Sequence, residues 1–483
     1  MNRKVKTLVA LAALVVGSFT VGCGGGAKGE GAKSPDTAKG PTTPGKPAEV
    51  NKEAQDKFFA AIEVLNGHDK AGNWNDAACQ ETANLFKAAA AEQKGGKFPE
   101  ATFNAGLAWQ RCGNDKEAKA MFEKALADDP KFHHARVQLA LYQFKADGNE
   151  DAAISSLQQS VLDAQFQNVP ALVNLAMFQM QRDGAAAGDG CKDDMECAKK
   201  NLQRALAIDD AYMPAFNQLA LYYFQQAKKR AGGTKVSSGR GKGRGIATNA
   251  ALGKRADVQQ LELAALVCSQ AVRKNPNYAP IHNTAGLIQN ELGQINGAVS
   301  EFNAAAKLDP KFFEAQMNYA FVNLSFRGFE QAQAALRRAL DMRPNDYDAH
   351  LGMALALRGQ ITDSNYDAQV NAVQAELDAA KKIDPNRPDA FYNEGILTQE
   401  YKAKGGGGKD KTIGALNAAK SIYGDFVAKA TGRSEYDGAV KRAKERMQDI
   451  DDTIAFLAAG VDDKNAAPPP AAGAPAAAEP PKK

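Results

Sequence analysis

One stretch of the sequence, Pro99–Phe132, constrains the fold of this chain more than any other part. Its second half carries Ala118, Phe122 and Ala125 at spacings of i, i+4 and i+7, which places the three side chains on one face of an α-helix. Its first half carries Gly106 in another apolar helical pattern, and a residue without a side chain lets a second helix approach closely. The stretch therefore predicts a pair of packed amphipathic helices.

Turn and stop signals lie between and after the two helices. Gly113, Asn114 and Asp115 form the turn between them, and Pro130 ends the second helix because proline cannot continue one. One such hairpin cannot bury its apolar face alone. The interpretation therefore requires further copies of the pattern.

Seven further copies follow in the sequence. Two of them define the period, because the interval from Gly286 to Ala320 equals the interval from Pro310 to Pro344. Eight copies in register predict an array of hairpins, whereas the alternative would be an irregular helical bundle. The small residues of the eight first helices are Gly106, Ala140, Ala176, Ala220, Gly286, Ala320, Ala354 and Gly395.

The pattern resembles the tetratricopeptide repeat, whose period matches this interval. The resemblance implies an all-α fold, namely an α-solenoid of about eight helix hairpins within residues 99–413. Residues 50–98 and 414–460 are predicted to be helices without the full motif that cap the two ends. The last helix can form one apolar stripe from Tyr436, Val440, Met447, Ile450, Ile454 and Leu457.

The N-terminus carries the features of a secretory signal peptide, which we place at residues 1–22. Three basic residues precede an apolar run, Leu8–Val21, that is short for a membrane span. Gly22 before Cys23 resembles the lipobox of bacterial lipoproteins, in which the cysteine is acylated and becomes the mature N-terminus. Cys23 is therefore the predicted lipid anchor. Thr20 stands where that family usually has leucine, which leaves ordinary cleavage or an uncleaved anchor open.

The two ends of the mature chain have the composition of disordered segments. Residues 23–49 are rich in Gly, Ala, Lys, Pro and Thr, and residues 461–483 are rich in Pro and Ala, so neither can build a core. We interpret the first as a tether and the second as a solvated tail, although a tail that reaches peptidoglycan or a partner is the alternative. By resemblance, Gly24 favours the outer membrane, with the array facing the periplasm.

Cysteine placement predicts two disulfide bridges, which export makes admissible. Cys191 and Cys197 lie in an insert within the third repeat, where a bridge would close a short loop. Cys79 and Cys112 fall at helix ends that neighbouring helices should bring together. Cys268 occupies an apolar slot and is predicted to be a buried free thiol. A metal site at Cys191 and Cys197 lacks histidine support.

A basic insert at residues 228–256 interrupts the fourth repeat with nine Lys or Arg residues and no acid. Without it and the signal peptide, 56 acidic residues outnumber 48 basic ones, so the basic charge is local. The insert could bind an anionic partner such as lipid headgroups, a cell-wall polymer or an acidic protein. The alternative is a solvated loop. We rank nucleic acid last because the insert lacks aromatic residues and an exported protein rarely meets nucleic acid.

No catalytic signature survives inspection. The run Gly405–Lys409 lacks the spacing of a phosphate-binding loop, and Asp410 stands where that motif needs Ser or Thr. His133 and His134 are adjacent at a helix entry, which is poor geometry for a shared metal. The sequence therefore predicts no catalytic residue, no metal site and no cofactor.

The candidate binding site comes from the resemblance, because in this family the first helices line a concave groove. The residue after each small slot is apolar at all eight copies: Leu107, Leu141, Met177, Leu221, Leu287, Phe321, Leu355 and Ile396. Two residues before the small slot stand amides that the resemblance assigns to an extended peptide: Asn104, Asn174, Asn318 and Asn393, with Gln138 and Gln218. The alternative for the apolar slot is packing between repeats. Only three cations suggest a carboxylate-binding groove: Arg111, Lys145 and Arg358.

These features together predict a membrane-tethered scaffold that binds other envelope proteins through the groove and assembles a motility, pilus or secretion machine. The layout looks like the lipoproteins of this repeat class in the myxobacterial gliding apparatus. The alternative is a periplasmic enzyme or a cell-wall-binding factor whose site lies in an insert or in the groove.

Overall fold

The computed structural model describes residues 50–184, 190–230, 255–405 and 408–459. These residues form α-helices joined by turns, and no β-strand occurs among them. The predicted signal peptide with Cys23, the tether, most of the basic insert and the C-terminal tail lie outside this described part. The chain divides into two compact units, Met1–Ala315 and Gln316–Lys483, whose described parts we call unit 1 and unit 2.

Unit 1 contains twelve helices: α1 (Lys52–Ala71), α2 (Asp76–Glu92), α3 (Pro99–Arg111), α4 (Asp115–Asp128), α5 (His133–Asp147), α6 (Glu150–Asp163), α7 (Val169–Arg182), α8 (Asp194–Ile208), α9 (Met213–Arg230), α10 (Arg255–Lys274), α11 (Ala279–Glu291) and α12 (Ile295–Leu308). The helices of unit 2 are α13 (Phe313–Ser325), which begins before the boundary, α14 (Phe329–Met342), α15 (Tyr347–Arg358), α16 (Tyr366–Ile383), α17 (Asp389–Glu400), α18 (Lys409–Ala430) and α19 (Asp437–Ala458).

Local sequence sets many of these boundaries. The turn before α4 contains Gly113, which has φ +69°. The next residue, Asn114, caps α4, because its side chain accepts a hydrogen bond from the Glu117 amide at 3.2 Å. Such caps contribute about 1 kcal/mol each. The other described helices that begin this way are capped by Asn51, Asn75, Asn149, Asn168, Asp193 and Asp346.

Consecutive helices pack as hairpins, which confirms the predicted all-α repeat fold. In unit 1 the pairs are α1/α2, α3/α4, α5/α6, α7/α8, α9/α10 and α11/α12; in unit 2, α15/α16 and α17/α18 pair in the same way. Contacts also join each second helix to the next first helix within a unit, for example α4 to α5. Each hairpin therefore buries its apolar face against its neighbours.

Size complementarity between the two helices of a hairpin explains the small slot. A Cβ atom on Gly106 would lie 2.5 Å from the Phe122 ring, and one on Gly286 would lie 2.6 Å from the Phe302 ring. Where the small residue is alanine instead, the facing slot holds a smaller side chain: the pairs are Ala140 with Leu157, Ala176 with Leu202, Ala220 with Cys268, Ala320 with Leu336 and Ala354 with Leu377. Glycine thus occurs where the partner is aromatic, and alanine where it is not.

The C-terminal end differs from the sequence-based prediction. The expected array end at residue 413 falls inside α18, which pairs with α17 as the second helix of the eighth hairpin. Ala419, Tyr423 and Phe426 keep the i, i+4, i+7 spacing and are buried, and a Cβ on Gly395 would lie 2.5 Å from the Tyr423 ring. The eighth repeat therefore continues beyond the glycine run that precedes α18. The stripe expected on α19 packs against this cluster, with Ile450 fully buried.

Candidate functional site

The candidate binding surface is formed by the first helices of the hairpins. In unit 1, α5 contacts α7, α7 contacts α9 and α9 contacts α11. In unit 2, α15 contacts α17 in the same way. Side chains that project from these helices therefore share one surface within each unit, which we call the first-helix surface.

Two of the eight apolar residues predicted to line the groove are packing residues. Leu107 is 0% exposed and lies in a cluster with Phe122 and Ala135, and Leu141 is 5% exposed in the large core of unit 1. The groove prediction is wrong for these two leucines, because side chains of neighbouring helices enclose them. At the start of the array, the alternative of packing between repeats is correct.

The other six apolar residues are half-buried and keep part of their surface in water. We call those in unit 1 the unit-1 row and those in unit 2 the unit-2 row. The unit-1 row is Met177, Leu221 and Leu287, and the unit-2 row is Phe321, Leu355 and Ile396. Met177 and Leu221 pack on the core of unit 1, and Ile396 packs on the cluster around Tyr423. Each row therefore combines contact with the core of its unit and partial exposure to water.

The asparagines expected to bind a peptide backbone are used by their own helices. The Asn104 side chain donates to the Glu100 carbonyl at 2.8 Å, and the Asn174 side chain donates to the Pro170 carbonyl at 2.9 Å. Both residues are buried, with 4% and 1% of their surface exposed. The prediction that these two asparagines bind a peptide backbone directly is therefore wrong. Asn393 makes the same bond to the Asp389 carbonyl, but it is half-buried, as is Asn318.

Internal partners hold the three cations that suggested a carboxylate-binding groove. Arg111 donates from Nε and Nη2 to the two carboxylate oxygens of Asp69, both at 3.0 Å. Lys145 pairs with Asp115 at 2.5 Å. Arg358 donates to Oδ1 of Asn393 at 3.1 Å, and burial lowers the pKa of its guanidinium. The first-helix surface therefore offers apolar rows with polar neighbours, without a row of free cations.

The insert of the third repeat is fastened at both ends. Asp194 is fully buried, and Arg182 donates to its two oxygens at 2.8 and 2.7 Å. The Gly184 amide adds a hydrogen bond to the same carboxylate at 2.9 Å. Burial alone would raise the pKa of Asp194, but these bonds lower it below 3.8. This pair was not predicted from the sequence, where its signal is an acid at the first position of α8.

The structure pairs the four cysteines for which we predicted bridges. Cys79 and Cys112 form one disulfide with Cα atoms 6.4 Å apart, and Cys191 and Cys197 form the other with Cα atoms 5.4 Å apart. Both separations suit a disulfide. Cys268 is free and buried, and burial raises the pKa of its thiol to about 12. It is therefore a poor nucleophile.

Among its five described cysteines, we expect the protein to contain both bridges and one free thiol. Loss of the Cys79–Cys112 bridge, which closes 33 residues, should destabilise the N-terminal hairpins by about 2–4 kcal/mol. Non-reducing peptide mapping checks the pairing, with Cys268 as the internal control that should stay unpaired. Recovery of all four other cysteines as free thiols would contradict the prediction.

The described residues contain no group of three or more His, Cys, Asp or Glu residues placed to hold a metal ion. His133 accepts a hydrogen bond from Asn168 at 2.7 Å, and burial lowers the pKa of His134 to about 3. In the same part of the chain, no helix is both long and apolar enough to cross a membrane.

A polar cleft of 650 Å³ lies in unit 2, where the turn after α15 meets the start of α14. Gln360 donates to Gln333 at 3.0 Å, and Asn365 donates to the Gln360 carbonyl at 3.0 Å. Gln369 donates to the Leu357 carbonyl at 3.0 Å. These amides hold the turn in place, and they do not combine a nucleophile with a base.

Residues 279–312, which are α11, α12 and the turns that flank them, match the family model of the tetratricopeptide repeat. The remaining hairpins repeat the same small-and-large pairing, so the chain is a protein of tetratricopeptide repeats. No curated protein matches the chain.

Several solved structures share the fold. A thermophilic TPR protein of Thermus thermophilus is 23% identical over 47% of this chain and 99% of its own, with a TM-score of 0.36. The pilF protein of Pseudomonas aeruginosa is 17% identical over 57% and 97%, with a TM-score of 0.36. A tetratricopeptide repeat protein of Parabacteroides merdae is 13% identical over 66% and 98%, with a TM-score of 0.33. These likenesses concern the fold alone and carry no function to this chain.

Proposed function

We propose that this chain is a non-catalytic scaffold, tethered to the outer membrane by acylated Cys23, that gathers envelope proteins on its first-helix surface. The observation that carries the proposal is the unit-1 row, which keeps three large apolar side chains partly exposed on adjacent first helices. Exposed apolar surface that is contiguous marks interaction sites more often than isolated exposed residues do. Proteins of this repeat class bind protein partners through this surface.

The proposed place of the scaffold in the envelope indicates the kind of apparatus that it would help to assemble. A body on a tether of about 26 residues would stand roughly 28 Å from its anchor, because a flexible chain spans about 5–6 Å times the square root of its length. That reach suits the assembly of a motility, pilus or secretion apparatus at the periplasmic side of the membrane. The basic insert, with nine cations and no acid, would add a contact to an anionic partner.

Purification from detergent-solubilised envelopes, followed by mass spectrometry of the proteins that copurify, tests the scaffold proposal. We expect a small set of envelope proteins with the wild-type chain and their loss with the double variant Leu221→Asp plus Leu287→Asp. A matched control is Leu266→Asp plus Leu308→Asp, because these leucines of the second helices α10 and α12 are already 51% and 39% exposed. Partners that survive the first variant, or that are lost equally with both, would contradict the proposal.

The anchor is tested separately. Replacing Cys23 with serine should release the protein from the membrane fraction or block its maturation, because lipidation with two or more acyl chains holds firmly. Membrane fractionation and mass spectrometry of the mature N-terminus measure both effects. An unmodified N-terminus together with unchanged fractionation would exclude the lipid anchor and leave the scaffold proposal standing.

A further inference from the structure

Three first helices carry a basic side chain at the same place, shortly after a proline. Arg136, His282 and His350 each follow a proline by six residues: Pro130, Pro276 and Pro344. In each case the side chain bonds to the carbonyl of that proline and to a carboxylate of the second helix in its own hairpin. The arrangement therefore connects the turn that enters the hairpin to the helix that closes it.

The two histidines make this connection with both ring nitrogens. In unit 1, Nδ1 of His282 lies 2.7 Å from Oε2 of Glu301 on α12, and Nε2 lies 2.8 Å from the Pro276 carbonyl. In unit 2, Nδ1 of His350 lies 2.6 Å from Oε2 of Glu376 on α16, and Nε2 lies 2.8 Å from the Pro344 carbonyl. The same geometry thus recurs two repeats further along the chain.

Both partners of each ring are acceptors. A carbonyl oxygen has no proton to donate, and a glutamate carboxylate is ionised near neutral pH. A neutral imidazole has one N–H group, so its second nitrogen would direct a lone pair at an oxygen lone pair within hydrogen-bond distance. Only the doubly protonated ring can donate both bonds.

Arg136 makes the equivalent two contacts in the hairpin α5/α6 with a side chain that never loses its charge. Its Nη2 donates to the Pro130 carbonyl at 2.5 Å and to Oδ2 of Asp163 at 3.1 Å. Since an arginine side chain stays protonated in proteins, this connection is the same at every physiological pH. Among the described residues, one form of the connection is thus made by a permanently charged arginine and two are made by a histidine.

We propose that His282 is a proton-dependent clasp that holds the hairpin α11/α12 closed in mildly acidic medium and loosens it as the pH rises. Deprotonation removes one of the two hydrogen bonds of the ring and turns it into a contact between two acceptors. The entering turn then loses its connection to the second helix.

The groups around His282 agree with a protonated ring in the closed hairpin. The bond to Glu301 raises the pKa of His282 above 6.5, burial opposes the shift, and the Pro276 carbonyl adds to it. On α10, the Cys268 thiol faces Glu301 but stays neutral, because burial raises its pKa to about 12. The charged residues of α10 near this end, Arg273 and Lys274, are exposed. Lys228 of α9 is paired with Glu291.

The charged groups near His350 lie on α14, α16 and α17. Glu376 is the carboxylate on α16 that meets the ring, and its side chain is 25% exposed. On α14, Arg337, Arg338 and Asp341 are exposed. On α17, Glu394 is bonded to Lys381 at 2.8 Å. These charges have solvent or partners of their own.

The sign of the pH effect follows from the raised pKa of His282. A group that binds its proton more tightly in the folded state stabilises it fully below the unfolded pKa of about 6.5 and loses that contribution as the pH rises through the raised value. Over that window the opening equilibrium of the α11/α12 hairpin should increase by up to about tenfold per pH unit. His133 and His134 act in the opposite sense, because burial lowers the pKa of both rings.

Hydrogen exchange of the mature full-length protein tests the clasp, followed by mass spectrometry of peptides from α11 and α5. The wild type is compared at each pH between 5.5 and 8.5 with the variant His282→Arg, which copies Arg136. We expect the protection of α11 in the wild type to fall relative to the arginine variant as the pH rises, while α5 shows no difference. A constant ratio across this range would overturn the proposal.

A second measurement does not depend on any variant folding. Nuclear magnetic resonance of the ¹⁵N-labelled histidine rings reports whether each nitrogen carries a proton. At pH 6 we expect two protonated nitrogens in His282 and a neutral ring in His134. A single protonated nitrogen in His282 at this pH would contradict the proposal.

Discussion

Replacing Gly286 with alanine should destabilise the hairpin α11/α12, although alanine is the better helix former. The new Cβ would lie 2.6 Å from the ring of Phe302, which is 3% exposed, so this buried ring or one of the helices must shift. Overpacking a core costs about 1–3 kcal/mol, and the higher helix propensity of alanine returns up to about 1 kcal/mol. We therefore expect a net loss of about 1–2 kcal/mol of local stability.

A matched glycine should respond with the opposite sign. A Cβ on Gly67, which lies within α1, would meet no atom within 4 Å. Gly67→Ala should therefore stabilise its hairpin by about 0.5–1 kcal/mol. Hydrogen exchange of α1 and α11 measures both effects locally, which suits a repeat array whose units do not unfold as one.

The same site offers a compensating substitution. Phe302→Leu added to Gly286→Ala reproduces the pair Ala140 with Leu157 found elsewhere in unit 1, and should recover most of the stability that Gly286→Ala removes. If Gly286→Ala stabilised α11 as much as Gly67→Ala stabilises α1, or if the second substitution gave no recovery, size pairing would not be the rule that builds these hairpins.

The double substitution Leu221→Asp plus Leu287→Asp should abolish partner binding while the hairpins stay folded. Each leucine is partly buried already, so a partner would remove only the rest of its surface from water, which is worth up to about 0.5–1 kcal/mol per side chain. An unpaired carboxylate under the partner adds a desolvation cost of at least about 1–3 kcal/mol. The combined loss of about 3 kcal/mol or more corresponds to at least a hundredfold weaker binding.

Folding must be checked beside binding, because both leucines also touch other side chains. Circular dichroism and hydrogen exchange of α9 and α11 should remain close to those of the exposed-leucine control, Leu266→Asp plus Leu308→Asp. Unfolding of α9 and α11 in the first variant alone would show that the unit-1 row is part of the core, as Leu107 and Leu141 are. In that case the row would not be a binding surface.

The repeat fold could be predicted from the sequence because its information is local. The spacing of Ala298, Phe302 and Ala305 sets a helix face, and a small residue one helix earlier sets the distance between two helices. The position of α18 was missed, although Ala419, Tyr423 and Phe426 carry the same spacing. The glycine run hid it, because an insertion changes the period without changing the packing of the helices on either side.

The exposure of the first-helix residues could not be predicted to the same extent. Leu107 and Leu221 occupy the same slot in two repeats, yet the first is enclosed and the second is partly exposed. Their burial depends on side chains of other helices, such as Phe132 and Ala135 in the cluster around Leu107, which are distant in sequence. The side chains of Asn104 and Asn174 could bond either to a partner or to their own helix, and both donate to the carbonyl four residues earlier. Local bonding therefore outweighed the expected bond to a partner.

The histidine contacts have a signal in the sequence. A histidine six residues after a proline recurs at His282 and His350, and an arginine takes that place at Arg136. The pattern gains meaning only with the second helix in place, since Glu301 lies 19 residues beyond His282 and Glu376 lies 26 residues beyond His350. Side-chain contacts across a hairpin with variable loops are beyond what spacing alone can predict.

Site-specific photo-crosslinking in living cells tests the central claim most directly. A photoreactive phenylalanine analogue at position 221 of the unit-1 row is compared with the same analogue at position 266, where Leu266 on α10 is 51% exposed. A scaffold that binds partners on its first-helix surface should yield discrete crosslinked envelope proteins from position 221 and none of them from position 266. No adduct at position 221, or the same adducts from both positions, would contradict the account.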